Sequence, residues 1–385
     1  MNELIGKILR KELGKQHCEA IWTRHVPVAA SMCAIQGIMP PHILREIMQR
    51  GEPEQRAWAL RTLITSAQLR GRREAIGAFA IMVPAGVKRR TIYDAKNGEY
   101  LPGSLVRGEG DPPTKDPEVT EAYDGAGATY DLYKEVYGRN SIDDRGMRLD
   151  STVHYGQNYD NAFWNGTQMV YGDGDGVIFQ RFSKSIDVIG HELTHGVTQY
   201  TAALAYSDQS GALNESMSDV FGSLVKQRTL GQTANQADWL IGAGLLAPKR
   251  KGVALRSMKA PGTAYDDDLL GKDPQPGHMK DYLDAQKLEE KYQDPNFDSG
   301  GVHENSGIPN HAFYLVATEI GGNAWEKAGL IWFTALTKLF RSSETFQTAA
   351  NKTFKAANEL FPGGPEQKAV LNGWAGVGIT VQNTP

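Results

Sequence analysis

Residues 191–200 read HELTHGVTQY. On a helix, His191 and His195 stand four apart and project from one face, where two imidazoles can bind one tetrahedral zinc ion. Glu192 follows the first histidine, so its carboxylate can reach a water on that ion and take its proton. The run is short, and two histidines fall at this spacing by chance often enough that a third ligand is required. NESMSD at 214–219 offers one. Glu215 lies 24 positions after His191 on a second periodic stretch, and Asp219, four further on, shares its face. A carboxylate at 219 can accept the ring N–H of a ligand histidine and fix its tautomer. Alone, Glu215 and Asp219 read as a solvated helix face; beside HELTH they read as a ligand and its support.

These residues need elements to hold them. Residues 76–106 carry short β-like runs (FAIMV, TIYDAKNG, EYLPGSLVR), with Asn97-Gly98 as a hairpin turn. A helix is expected over 118–140, then strands in STVHYG, NAFWNG, QMVYGDGDG and IFQRF. From about 186 the pattern turns helical, with periodic stretches at 214–228, 310–320, 324–341 and 345–360. A β-rich half followed by an α-rich half defines an α+β fold, and HELTH stands at the boundary, where clefts form. The expected division is residues 1–80, 81–208 and 209–385.

Composition narrows the class. With 385 residues, 40% hydrophobic and 22% charged, the chain has the balance of a soluble globular protein and room for a large core. No run approaches the ~18 apolar residues of a membrane span. VPVAASMCAI at 26–35 is too short and too far into the chain for a secretory signal, so a cytoplasmic protein or one exported by a non-classical route is expected. Only Cys18 and Cys33 occur, which excludes a disulfide framework beyond residue 33. Residues 1–90 hold 15 Lys/Arg against 7 Asp/Glu, and the remainder 26 against 38. Basic residues interleaved with Trp58, Leu60, Leu63, Ile64 and Leu69 suit a segment that docks on its own acidic body. No nucleic-acid motif accompanies them. Residues 1–25 and two short helices after Pro40-Pro41 and Pro53 are expected to be helical.

HELTHGVTQY followed by GALNESMSDVFG resembles the thermolysin-like metallopeptidases, as do NAFWNGTQMVYGDGDG, LRSM, GGVHENSGIPNHAFYLV and GWAGVGI, over roughly residues 90–385. The brief N-terminal segment with PPHIL is similar to the protealysin-type branch, which carries a short propeptide. The resemblance implies a two-lobed fold with the zinc site between a β-rich and an α-helical lobe. It implies His191, His195 and Glu215 as ligands to one catalytic zinc and Glu192 as general base. His303 and Tyr206 match the groups that stabilise the oxyanion, and Asn161 and the Ala162 backbone those that hold the peptide main chain. Arg256 matches the arginine beside the primed-side pocket, which Phe179, Phe182, Val188, Ile241 and Leu255 would line. The implied activity is neutral endopeptidase action on proteins or peptides, on the amino side of Leu, Ile, Val or Phe. Secretion is the family habit.

The sequence departs from the family in two places. Where the family binds two calcium ions, Asp187 and Asp238 remain, but Lys226, Leu240 and Ala243 replace acids. Calcium needs six to eight oxygens, so bound calcium is expected to be absent or weak, with Lys226 as a fixed cation between the two aspartates. The acidic stretch between Arg256 and His303 is expected to be an exposed, partly helical excursion. The N-terminal segment is expected to inhibit the enzyme intramolecularly until cleaved between about residues 69 and 90, with Ala75-Ile76 and Ala78-Phe79 as candidate bonds. Cys33 could place a thiolate near zinc, although a small buried hydrophobe is the simpler reading. A monomer is expected. A zinc aminopeptidase would need a different spacing to its glutamate and an acidic anchor for the substrate amine, and neither is apparent. A catalytically dead binding module is disfavoured, because ligands, base and oxyanion groups occur together.

Overall fold

Prolines open the first helices. The computed structural model describes residues 36–76 and 87–382. Strand β1 (Gln36–Gly37) leads into helices α1 (Pro41–Arg50) and α2 (Pro53–Ile76), each beginning on proline. α1 ends at Gly51 and buries His42, Ile43, Leu44 and Ile47. The expected helix in residues 1–25, both cysteines and the Ala78-Phe79 bond lie outside the described residues. Ala75-Ile76 falls in the last turn of α2.

The expected hairpin forms from β2 (Arg90–Asp94) and β3 (Ser104–Arg107), with Lys96 and Asn97 at positive φ in the connection. Helix α3 (Pro117–Asp131) starts where the Asp116 side chain accepts the N–H groups of Glu118 and Val119. It passes into a π-helical turn over Leu132–Val136, so the helical stretch stops short of residue 140. Strands β4 (Leu149–Val153), β5 (Ala162–Trp164) and β6 (Met169–Tyr171) complete a six-stranded sheet of order β1-β5-β6-β4-β2-β3. IFQRF is not a strand. The Asp175 carboxylate accepts the N–H groups of Val177, Ile178 and Phe179, and so removes donors that a ladder would use.

Helices α4 (Ile186–Gln199) and α5 (Asp208–Leu230) are the structural centre. α4 is buried from Asp187 to Thr198 and α5 from Ser210 to Gln227, so both are surrounded by protein. Asp187 sits in the first turn of α4, and α5 ends at Gly231 in the left-handed region (φ 64°). The two helices meet at glycines. A Cβ at residue 222 would lie 2.4 Å from the Asp187 carbonyl oxygen and 3.0 Å from the His191 nitrogen. A Cβ at residue 190 would lie 3.0 Å from the Gly222 Cα. Only backbone against backbone fits there.

Beyond α5, β7 (Leu240–Ile241) pairs with β8 (Arg256–Ser257), and the chain is then mainly helical. Its helices are α6 (Ala285–Tyr292), α7 (Asp298–Asn305), α8 (Gly307–Ile320), α9 (Lys327–Thr334), α10 (Phe346–Leu360) and α11 (Pro365–Gly376). The acidic stretch before His303 is not simply an exposed excursion. Tyr265, Asp267, Leu270, Asp273 and Gln275 are buried. The reason is local: Asp267 accepts the N–H groups of Lys251 and Leu269, and Asp273 those of Gly262 and Ala264, so these acids fold the loop. Among the described residues no helix is long and apolar enough to cross a membrane.

The glycine contact predicts that Gly222→Ala forces the helices apart and costs about 1–3 kcal/mol, as overpacking does. Urea unfolding of the two proteins checks this, and an unchanged midpoint would contradict it.

Candidate active site

The helix crossing turns one face of α4 toward one face of α5. His191 Nε2 and His195 Nε2 lie 3.0 Å apart. Glu215 Oε2 is 3.4 Å from the first nitrogen, and Glu215 Oε1 is 3.4 Å from the second. Ligand bonds of about 2.0–2.1 Å to a tetrahedral centre place neighbouring donors roughly 3.3 Å apart, close to these edges. All three side chains are buried, and Glu215 Oε2 has no hydrogen-bond partner. Burial opposes the charge on Glu215, yet His303, His195 and His191 hold its carboxyl well below the usual range. Burial likewise opposes a charge on His191, but Asp219 and Glu215 raise it to about 9. The cluster is therefore built to hold positive charge between two ring nitrogens and a carboxylate. A zinc ion fits it.

Each ligand candidate is oriented from behind. His191 Nδ1 is 2.8 Å from Asp219 Oδ1, and His195 Nδ1 is 2.9 Å from Asn214 Oδ1. Asp219 also accepts two bonds from Arg256 (2.8 and 2.7 Å) and one from Asn310 Nδ2 (2.8 Å). Although burial works against its charge, Arg256 and His191 keep its carboxyl down at about 2. Arg256 thus supports His191 through Asp219.

Glu192 is fully buried; its Oε2 accepts the Trp164 N–H of β5 at 3.0 Å, and Oε1 has no partner. Burial pushes its carboxyl up to about 8. Tyr206 and His303 converge on the same space, with the Tyr206 hydroxyl donating to Glu215 at 2.5 Å and lying 3.4 Å from His303 Nε2. Asp298 aims His303: its carboxylate oxygens lie 2.8 and 3.0 Å from Nδ1, and it also accepts the His303 N–H. The turn that permits this keeps Asp298, Ser299, Gly300 and Gly301 at positive φ. A Cβ on Gly300 would sit 2.5 Å from Asp208 Oδ1.

Among the other expected residues, Asn161 and Ala162 lie at the start of β5, while Phe179, Phe182, Val188, Ile241 and Leu255 are buried within the main hydrophobic core. Lys226 Nζ donates to Asp187 (2.9 Å) and to the Leu240 carbonyl (2.7 Å), and lies 2.9 Å from Asp238. Sequence reasoning missed Asn214, Asn310 and Asp298. Asn214 adjoins Glu215, and FDSGG five residues ahead of His303 was the available signal for Asp298. A second acidic cluster, Glu118, His154 and Asp173, is only partly buried. His154 already closes it, with Nε2 2.8 Å from Asp116 and Nδ1 3.0 Å from Asp173.

Comparison with known proteins places this fold. A family model described as the thermolysin metallopeptidase catalytic domain matches residues 82–199, and one for the thermolysin metallopeptidase alpha-helical domain matches residues 202–379. The "Extracellular metalloprotease" of Pectobacterium carotovorum subsp. carotovorum is 50% identical over 349 residues, covering 90% of this chain and 97% of that protein. "Protease PrtS" of Photorhabdus sp. (strain Az29) is 50% identical over 353 residues, covering 90% and 93%. Among solved structures, the precursor of protealysin, a metalloproteinase from Serratia proteamaculans, superposes with TM-score 0.80 at 50% identity, covering 90% of this chain and all of that one. The chain belongs to the thermolysin metallopeptidase family, in its protealysin-type branch. It is a metalloendopeptidase with the thermolysin-like fold.

One expectation is corrected here. The weak signal at residues 26–35 suggested a cytoplasmic protein or one exported by a non-classical route, but a 50% identical relative is named extracellular, which points to export rather than the cytoplasm.

If Asp298 positions His303 without touching the metal, Asp298→Ala keeps wild-type zinc content and lowers kcat roughly 10-fold or more, as loss of an aligned oxyanion donor does. Metal analysis beside peptide kinetics checks this. Loss of zinc from the variant would contradict it.

Proposed function

We propose that this chain is a zinc-dependent endopeptidase made as a zymogen, cutting proteins or peptides on the amino side of Leu, Ile, Val or Phe. The observation that carries the reading is the closed triangle of His191, His195 and Glu215 with the Glu192 carboxylate beside it. His191, His195 and Glu215 would hold one zinc, which when bound supplies Lewis acidity and an acidified water. Glu192 takes a proton from the attacking water and passes it to the departing amine, and its Oε1 has no other partner to compete. His303 and Tyr206 donate to the carbonyl oxygen as negative charge gathers there. Asn161 and the Ala162 carbonyl hold the substrate main chain along β5, and Arg256 holds the carbonyl that follows the cut bond.

Specificity comes from the buried apolar side chains of Phe179, Phe182, Val188, Ile241 and Leu255, beside which a charged side chain would be stranded. Residues 1–80 act as the inhibitory propeptide, ahead of a β-rich lobe at 81–208 and a helical lobe at 209–385. The enzyme works as a monomer. In place of calcium, the Lys226 ammonium neutralises buried Asp187 together with Asp238. Burial disfavours its charge, but the two aspartates raise its pKa above the ordinary lysine value.

Glu192→Gln is expected to retain zinc while losing at least about 10²-fold in kcat, the usual scale for a missing general base. Peptide-library digestion by the wild type should cut before apolar residues; cleavage after basic ones would remove the specificity assignment. Lys226→Ala leaves Asp187 buried and unpaired, at an expected cost of about 3–5 kcal/mol. Calcium should leave the wild-type Tm unchanged, and a rise of several degrees would contradict the lysine substitution.

A further inference from the structure

The N-terminal segment crosses the active site in an extended conformation. β1 pairs antiparallel with β5, Gln36 opposite Trp164 and Gly37 opposite Phe163, and so covers the edge of the sheet. Its next residues occupy the groups assigned above to substrate. The Gly37 carbonyl accepts from His303 Nε2 at 3.0 Å. The Ile38 N–H donates to the Ala162 carbonyl at 3.2 Å and faces the Glu192 carboxylate without a hydrogen bond to it. The Ile38 carbonyl accepts from Arg256 Nη1 at 3.0 Å, and the Met39 N–H donates to Asn161 Oδ1 at 3.0 Å. The Ile38 side chain is apolar and fully buried in the main hydrophobic core. Glycine at 37 suits this seat, since a Cβ there would lie 2.7 Å from Asn161 Nδ2 and would displace that side chain.

One peptide bond therefore has its carbonyl on the oxyanion donor, its nitrogen beside the base, and an apolar residue after it. We propose that Gly37–Ile38 is a self-cleavage site, cut in cis by the chain's own active site, ahead of final maturation farther along. This rests on the endopeptidase reading above. Water adds across the bond: its oxygen joins the Gly37 carbonyl carbon, the C–N bond breaks, and a proton passes to the Ile38 nitrogen. The products are a Gly37 carboxylate and an Ile38 amine.

The cut alone does not open the cleft. Downstream of it, His42 Nε2 is 2.6 Å from the Tyr265 hydroxyl, Arg256 still holds Ile38, and α1 keeps Ile43, Leu44 and Ile47 buried. The product is a nicked form, latent until the remaining segment leaves, and it sheds Cys18 and Cys33 with residues 1–37.

The test is a time course on purified full-length precursor, followed by intact mass and N-terminal sequencing, with peptide cleavage by the matured protein measured alongside. Expected are an Ile38 N-terminus and a complementary 1–37 fragment, at a rate independent of protein concentration. Both should be missing from Glu192→Gln and Ile38→Asp and retained in Ile38→Leu. Three results overturn the proposal while leaving the endopeptidase reading intact: active matured enzyme without an Ile38 N-terminus, a rate that rises with concentration, or equal cutting in Ile38→Asp. Neither processing nor peptide cleavage by a folded, zinc-loaded chain would overturn both.

Discussion

The site depends on two helices approaching until their backbones touch. Side chains ordinarily keep packed helices 8–10 Å apart. Here Gly190 and Gly222 remove that spacing at one point, and His191 follows Gly190 directly in the chain. The contact sets how far the imidazoles of α4 stand from the carboxylates of α5. From it follow the 3.0–3.4 Å triangle and the bond from Asp219 to His191. Burial then makes the electrostatics decisive, since each charge away from water needs a partner. Glu215 has three histidines, Asp219 has Arg256, and Asp187 has Lys226.

The same constraint explains why the propeptide is read like a substrate. A cleft built to hold an extended main chain offers the Ala162 carbonyl, the Asn161 amide and the Arg256 guanidinium at fixed places. Any segment that bonds to all three arrives in substrate register. On the proposed function, inhibition is strand addition to an edge, stabilised by α1 and by His42 against Tyr265, and autoinhibition and catalysis use one set of hydrogen bonds.

Much of the site was legible in the sequence because helix periodicity is strict. Residues four apart share a face whatever surrounds them, so His191 with His195 and Glu215 with Asp219 could be paired before any fold was known. The chemistry of HELTH then asked for a carboxylate, and NESMSD supplied it. Long-range placement was not legible. Nothing local says that Asp298 turns back onto His303, because four consecutive residues at positive φ produce that approach. IFQRF has strand composition, yet Asp175 takes its backbone donors. The acids before His303 look solvated in sequence, whereas Asp267 and Asp273 bond to backbone N–H groups and become buried. The seat of Gly37 and Ile38 was likewise invisible, since β5 lies more than a hundred residues away.

The measurement that bears most directly on this account is metal stoichiometry and coordination in the purified protein. X-ray absorption at the zinc edge, with elemental analysis, should find one zinc per chain bound by two imidazoles and carboxylate oxygen, and His195→Ala should lose it. A folded, proteolytically active chain that holds no zinc and withstands chelation would contradict the account.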